Sequence, residues 1–336
     1  MRYTISVALA SLLASTALAE VPAVVTDIAP VHSLVAMVMG DLGTPALLLD
    51  KGADPHDFQL RPSQAQAVAD AGLVVWIGPE MSPWLDRALD GTGTNGTLLA
   101  LLSAAGTETL SYGKQAGEHD HAAEGEDHDH GHGHGHDHGH DHVAEGESHD
   151  QDAHAKGEGH DHSHSGIDPH AWLDPHNAIL WIGVIAGELG RLDPANAVIY
   201  AENAELAAVR INAMEADLQA TLAPVHDKPF VVFHDAFGYF AAHFGLTVAG
   251  AISAGDAASP GAQSLRDLTR TAAAGTICIF PEANHDAALS AQMAEATGAT
   301  LGAPLDPEGV TLDPGPDLYP ALMTGLAGAL ADCLSR

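Results

Sequence analysis

The sequence predicts an α/β protein of two lobes, each a parallel sheet flanked by helices. One long rigid helix is expected to join them, with a metal site in the cleft between. Three observations predict this. Short continuous apolar runs alternate with helix-like stretches, as strands do when helical crossovers cover both faces of their sheet. The rhythm stops near residue 193 and restarts after residue 225. Between the two lies a stretch dominated by Ala, Glu, Leu, Met and Gln, all strong helix formers.

The first 19 residues are an address. Arg2 supplies a positive start, Ile5 to Leu13 a short, mostly apolar run, and Ala17-Leu18-Ala19 a small-x-small cleavage pattern. An uncleaved anchor would need about 20 apolar residues; this run is shorter and meets Glu20. Export to the periplasm with cleavage after Ala19 is therefore expected, and no later segment is long and apolar enough to span a bilayer.

The N-terminal lobe is assigned to residues 20–192. Val24 to Ile28, Ala46 to Leu49, Leu73 to Ile77 and Leu98 to Leu102 read as buried strands, with helices over His32 to Met39 and Ser63 to Ala71. The connecting helix is assigned to 193–224. Asp193 suits an N-cap and Pro194 a first helical turn, and a helix of that length spans roughly 40 Å. A helix packed wholly on one lobe is the alternative. The C-terminal lobe, 225–336, has strands at Phe230 to Phe233, Thr247 to Ile252 and Thr276 to Phe280, separated by helices around 236–244, 262–274 and 286–297.

A formal charge of −33 repels phosphate and excludes a nucleic-acid partner, but suits a cationic ligand. The two cysteines, Cys278 in an apolar run and Cys333 near the C-terminus, are either buried thiols or a disulfide pinning the last helix to a core strand. Export favours the disulfide.

Residues 118–164 abandon any apolar period. They hold 15 of the 23 histidines and 14 acidic residues against one lysine. With almost nothing to bury, the segment is expected to be disordered when free. Its core sets His128, His130, His132, His134, His136, His138, His140 and His142 among Gly and Asp. Imidazole suits zinc, copper and nickel, and His-rich tracts are a metal-binding composition. A solvated spacer is the bland alternative. Lacking fixed geometry, such an array is expected to bind several ions weakly.

Of the remaining histidines, three follow predicted strands or rejoin the fold: His56 in Asp54-Pro55-His56-Asp57-Phe58, His170 in Asp168-Pro169-His170-Ala171-Trp172, and His234 in Phe233-His234-Asp235-Ala236. Ligands of α/β sheets bind beyond the carboxyl ends of strands, so residues from the two lobes can converge in the cleft. Three neutral imidazoles with an open fourth position suit zinc. Each alone is more often an ordinary loop residue. Glu80 and Glu282 fall near cleft loops as acceptors for imidazole N–H groups, though a solvated surface role is the commoner reading of each. Met37, Met39, Trp76 and Trp181 read as core, and His32 as a satisfied core or capping histidine.

Four blocks carry a resemblance: His56-Asp57-Phe58-Gln59-Leu60-Arg61-Pro62-Ser63, Leu73-Val74-Val75-Trp76-Ile77-Gly78-Pro79-Glu80-Met81, His170-Ala171-Trp172-Leu173-Asp174-Pro175 and Phe233-His234-Asp235-Ala236-Phe237-Gly238-Tyr239-Phe240. Together with the acidic His-rich loop, they resemble the ZnuA-type zinc-binding subunits of bacterial ABC importers. The resemblance implies two lobes on one rigid helix, zinc between them, ligand roles for His56, His170 and His234, and a Cys278–Cys333 disulfide. Some members of the group place a Glu just before the first histidine, where this chain has Pro55. Manganese-binding cousins place an Asp near the last strand, which aligns with Asp306, and a carboxylate where His234 stands; the latter favours zinc here. The fourth ligand is thus Asp306, a water or a histidine from the insert. The expected partners are a zinc ion, the permease of an ABC importer and a periplasmic metallochaperone, acting on a monomer. An exported zinc hydrolase would need a general base and a pocket, and no HExxH helix is present. A metal buffer unlinked to a transporter is the other alternative.

Overall fold

A computed structural model describes residues 21–112, 166–253 and 261–336. The expected export segment 1–19 and the insert 118–164, with its eight central histidines from His128 to His142, lie outside the described residues.

The first half builds a sheet from β1 (Val24–Thr26), β2 (Ala46–Leu47), β3 (Leu73–Trp76) and β4 (Thr97–Ala100). All pairs are parallel, in the order β2-β1-β3-β4. The crossovers are α1 (Ala29–Met39), α2 (Pro62–Asp70) and α3 (Pro83–Thr92). Side chains alternate across a strand, so Leu73 and Val75 enter the large core while Val74 and Trp76 pack with Trp84 and Leu85 on the outer face. Both faces are covered, which is why these strands read as unbroken apolar runs.

At the end of β1, Asp27 is fully buried. Its carboxylate accepts from the N–H of Ile28 (2.8 Å), the N–H of Ile77 (3.0 Å) and the Ser82 hydroxyl (3.0 Å). Burial pushes its pKa up to about 6 against the opposing pull of these donors. It ties the ends of β1 and β3 to the turn before α3.

Two long helices follow, α4 (Pro175–Leu192) and α5 (Ala197–Leu222). The sequence predicts the connecting helix from Asp193. Instead, the Asp193 N–H closes α4 by bonding to Leu189 O, and its carboxylate accepts from Asn196 (2.6 Å) and Tyr200 (3.0 Å). Asp193 and Pro194 therefore make the turn between two helices. Along α5 the buried residues Tyr200, Ala204, Ala207, Ile211, Met214, Leu218 and Leu222 recur at spacings of three and four, an apolar stripe. It packs against α1, α4 and the C-terminal helix.

The second half repeats the first. Strands β5 (Phe230–His234), β6 (Val248–Ser253), β7 (Cys278–Ile279) and β8 (Thr300–Leu301) run parallel in the order β6-β5-β7-β8. Helices α6 (Gly238–Phe244), α7 (Ala262–Ala273) and α8 (Ala288–Thr297) cross over, and α9 (Leu318–Leu334) ends the chain. One continuous core runs through both halves, with Val24, Val75, Trp172, Ile211, Phe230 and Leu326 among its members. A disulfide joins Cys278 on β7 to Cys333 on α9. Among the described residues no helix is long and apolar enough to cross a membrane.

Candidate metal centre

Both sheets change direction of winding beside their first strand, and a ligand crevice forms beyond the carboxyl ends of strands at such a point. His234 is the last residue of β5, and Glu282 lies just past β7, the neighbouring strand across that point. His170 stands before a 3-10 turn, Ala171–Leu173, that leads into α4. Its approach is fixed by Asp168, whose N–H bonds to Leu110 O (2.8 Å) and whose carbonyl accepts from the Tyr239 hydroxyl (2.8 Å). His56 sits in the loop between β2 and α2. There the Asp54 carboxylate accepts from the His56 N–H (2.8 Å), and Trp84 Nε1 donates to Pro55 O (2.7 Å).

The structure brings His56, His170 and His234 together, with Glu308 as a fourth member. Each of the four offers one ligand atom, and these atoms all lie within 4.8 Å of one another. Ring centroids are 5.1 Å apart for His170 and His234, 5.5 Å for His56 and His170, and 6.2 Å for His56 and His234. His56 Nε2 stands 3.7 Å from Glu308 Oε1. His170, His234 and Glu308 are buried, while His56 keeps a partly open edge.

Carboxylates behind two of the rings set their chemistry. His170 Nδ1 is 2.7 Å from Asp168 Oδ1, and His234 Nδ1 is 2.5 Å from Glu282 Oε2. A carboxylate behind the ring favours the proton on Nδ1 and makes Nε2 the basic lone pair. The two Nε2 atoms face each other at 3.2 Å. With the protons on Nδ1, both Nε2 lone pairs point into the same space, where one cation can accept them. Three imidazoles and one carboxylate, two of the imidazoles backed by carboxylates, form a donor set matched to zinc in number and type.

Glu308 was not among the residues singled out from the sequence. It follows Pro307, whose carbonyl accepts from Trp172 Nε1 (2.8 Å), and precedes Gly309. Gly309 has φ of 68°, and a Cβ there would come within 3.1 Å of Leu318 and Leu322. Only glycine makes that turn without strain. Asp306, the fourth ligand offered by the sequence, lies outside the group. Its oxygens accept from the N–H of Val310 (2.9 Å), the N–H of Thr311 (3.0 Å) and the Thr311 hydroxyl (2.5 Å). It closes the turn that presents Glu308. Glu282 is buried against His234, whereas Glu80 is exposed. His32 Nε2 lies 3.1 Å from Pro45 O in the core.

Fold and site together define a two-lobed α/β solute-binding protein with a group of side chains able to hold one metal ion. The profile of the family described as "Zinc-uptake complex component A periplasmic" matches residues 24–333, and the chain belongs to that family. It is 52% identical to the high-affinity zinc uptake system protein ZnuA of Paracoccus denitrificans, with 98% of each chain covered. Against the protein of the same name from Brucella suis it is 40% identical, over 98% of this chain and 96% of that one. The fold is shared with the SBP FpvC of Pseudomonas aeruginosa in complex with Mn2+, at a TM-score of 0.71 and 19% identity, over 93% of this chain and 98% of that one.

Proposed function

We propose that this chain captures one zinc ion in the periplasm and delivers it to the permease of an ABC importer. His56, His170 and His234 bind through imidazole nitrogen and Glu308 through a carboxylate oxygen. The observation that carries the reading is the approach of these four ligand atoms to within 4.8 Å. Relatives across nearly the full length bear the name of a high-affinity zinc uptake protein, which supports zinc as the cargo. The cleavable segment 1–19 directs export. The mature chain acts as a monomer, and the His-rich insert 118–164 collects further zinc by the weak, unselective binding its composition implies. A periplasmic metallochaperone is an additional source of the ion. The helix α5, packed on elements of both halves, holds the lobes near binding geometry.

The test is a competition titration of zinc against a chelator of known affinity. His170→Ala, which removes one of the two facing imidazoles, is expected to weaken the tightest site at least 100-fold while leaving the weaker ions of the insert in place. Unchanged tight binding in that variant would overturn the assignment.

A further inference from the structure

A second cluster lies apart from the cleft group. Asp174, His176 and His243 present ligand atoms all within 4.8 Å of one another, and they come from α4 and α6. We infer that Asp174, His176 and His243 form a second site for a zinc-like divalent cation, weaker than the cleft and filled after it.

Each member is placed for the task. Asp174 caps α4, its Oδ1 accepting from the His176 N–H at 2.9 Å, so the carboxylate is held rather than free to swing. His243 lies in the last turn of α6 and has a carboxylate against each ring nitrogen. Nδ1 is 2.9 Å from Asp174 Oδ1, and Nε2 is 3.0 Å from Glu215 Oε1 on α5. Whichever nitrogen takes the ion, the other keeps a carboxylate acceptor, an arrangement that orients a ligating imidazole and raises its basicity. His176 supplies the second imidazole. Its ring centroid is 4.6 Å from that of His243, and its Nε2 is 3.6 Å from Glu215 Oε1.

Two imidazoles and a carboxylate, with Glu215 behind them, suit zinc better than calcium or magnesium, which prefer oxygen alone. The His176 side chain is 60% exposed, so the ion has an open route from solvent. The same exposure leaves that ring to be ordered on binding, which makes the site weaker than the buried cleft group. The two groups are neighbours along the chain. His170 and Asp174 bracket the 3-10 turn Ala171–Leu173, and the Asp174 N–H bonds back to Ala171 O. An ion held here stands one turn of chain from a cleft imidazole.

Without an ion, the same contacts would be only an ion-pair network around His243, and the test separates the two. Crystals of the full-length protein saturated with zinc are expected to show a second anomalous peak at the zinc edge, in contact with His176 and His243. Equilibrium dialysis of the full chain at a fixed excess of free zinc is expected to lose one bound ion per molecule in His176→Ala, with its tightest ion retained. Because His176 is exposed, the variant should keep the wild-type melting temperature in the absence of metal. His56→Ala is expected to weaken the cleft ion and keep the second peak, so this inference and the cleft reading can fail separately. A zinc-saturated crystal with no peak at His176 and His243, or an unchanged ion count in His176→Ala, would overturn the inference.

Discussion

Among single residues, the carboxylates behind the imidazoles are the most informative to change. Asp168 and Glu282 touch His170 and His234 at Nδ1, the nitrogen facing away from the converging Nε2 atoms. Replacing Glu282 by Gln keeps the shape but removes the charge that makes His234 Nε2 basic. Zinc affinity is expected to fall 10- to 100-fold, the range found when such outer partners are changed, with the bound-ion count at saturation unchanged. A titration showing wild-type affinity for Glu282→Gln would contradict this role. At this scale the sequence picks out the three histidines that the structure brings together, because His56, His170 and His234 each stand in a distinctive block after a strand or a Pro, whereas it does not single out His176 and His243. Glu308 was not legible. A carboxylate in Asp306-Pro307-Glu308-Gly309 looks like any turn, and which acid points inward is decided by Gly309 at positive φ and by the anchoring of Pro307 to Trp172. The one available signal was the Gly immediately after Glu308, which marks a backbone position that other residues resist.

Elements were read best where one pattern settled them. The strands β1, β3 and β5 sit between helices on both faces and show as continuous apolar runs. Helices α3 and α4 were missed although both open with Pro at the first turn, after Ser82 and Asp174 respectively. Asp193-Pro194 carries the same Asp-Pro signal, but there the carboxylate accepts from Asn196 and Tyr200 and the chain turns. Strand β8 has two exposed residues at a sheet edge and carries no apolar pattern to find. The carboxyl end of β1 carries a prediction of its own. Asp27 has a folded pKa near 6 against 3.8 for the free group, with burial the largest cause. Below about pH 4 both folded and unfolded states hold the proton, and the group is neutral to stability. As pH rises through 6 the unfolded chain ionises first, so stability falls, by about 3 kcal/mol at about 1.4 kcal/mol per unit. Urea denaturation of wild type and Asp27→Asn across pH 4 to 7 should show this decline in the wild type relative to the variant. Parallel profiles would contradict it.

The whole molecule joins two halves of one topology through a shared core, and the restart after residue 225 announced that repeat in the sequence. The disulfide closes a loop of 55 residues between β7 and α9. Its removal in Cys333→Ser is expected to cost about 2–4 kcal/mol by chain entropy, read as a lower urea midpoint; no shift would mean the core alone holds α9. Affinity for zinc should also drop as the pH falls, because protons compete with the ion for the imidazole lone pairs. The last prediction concerns the insert. Residues 118–164 carry 15 histidines, 14 acids and one lysine, a composition that attracts cations but presets no coordination geometry. The cleft group has the opposite character, four donors held by a folded core. Ions should therefore divide into one tight class and several weak ones. Deleting 118–164 should abolish the weak class and leave a single tight ion (two, with the weaker partner at His176 and His243, when zinc is in large excess). Slower loading at limiting zinc is the expected kinetic consequence, since the acidic tract no longer concentrates the ion near the fold. A deletion variant that keeps its wild-type melting temperature without metal yet binds no ion tightly would place capture in the tract and not in the cleft.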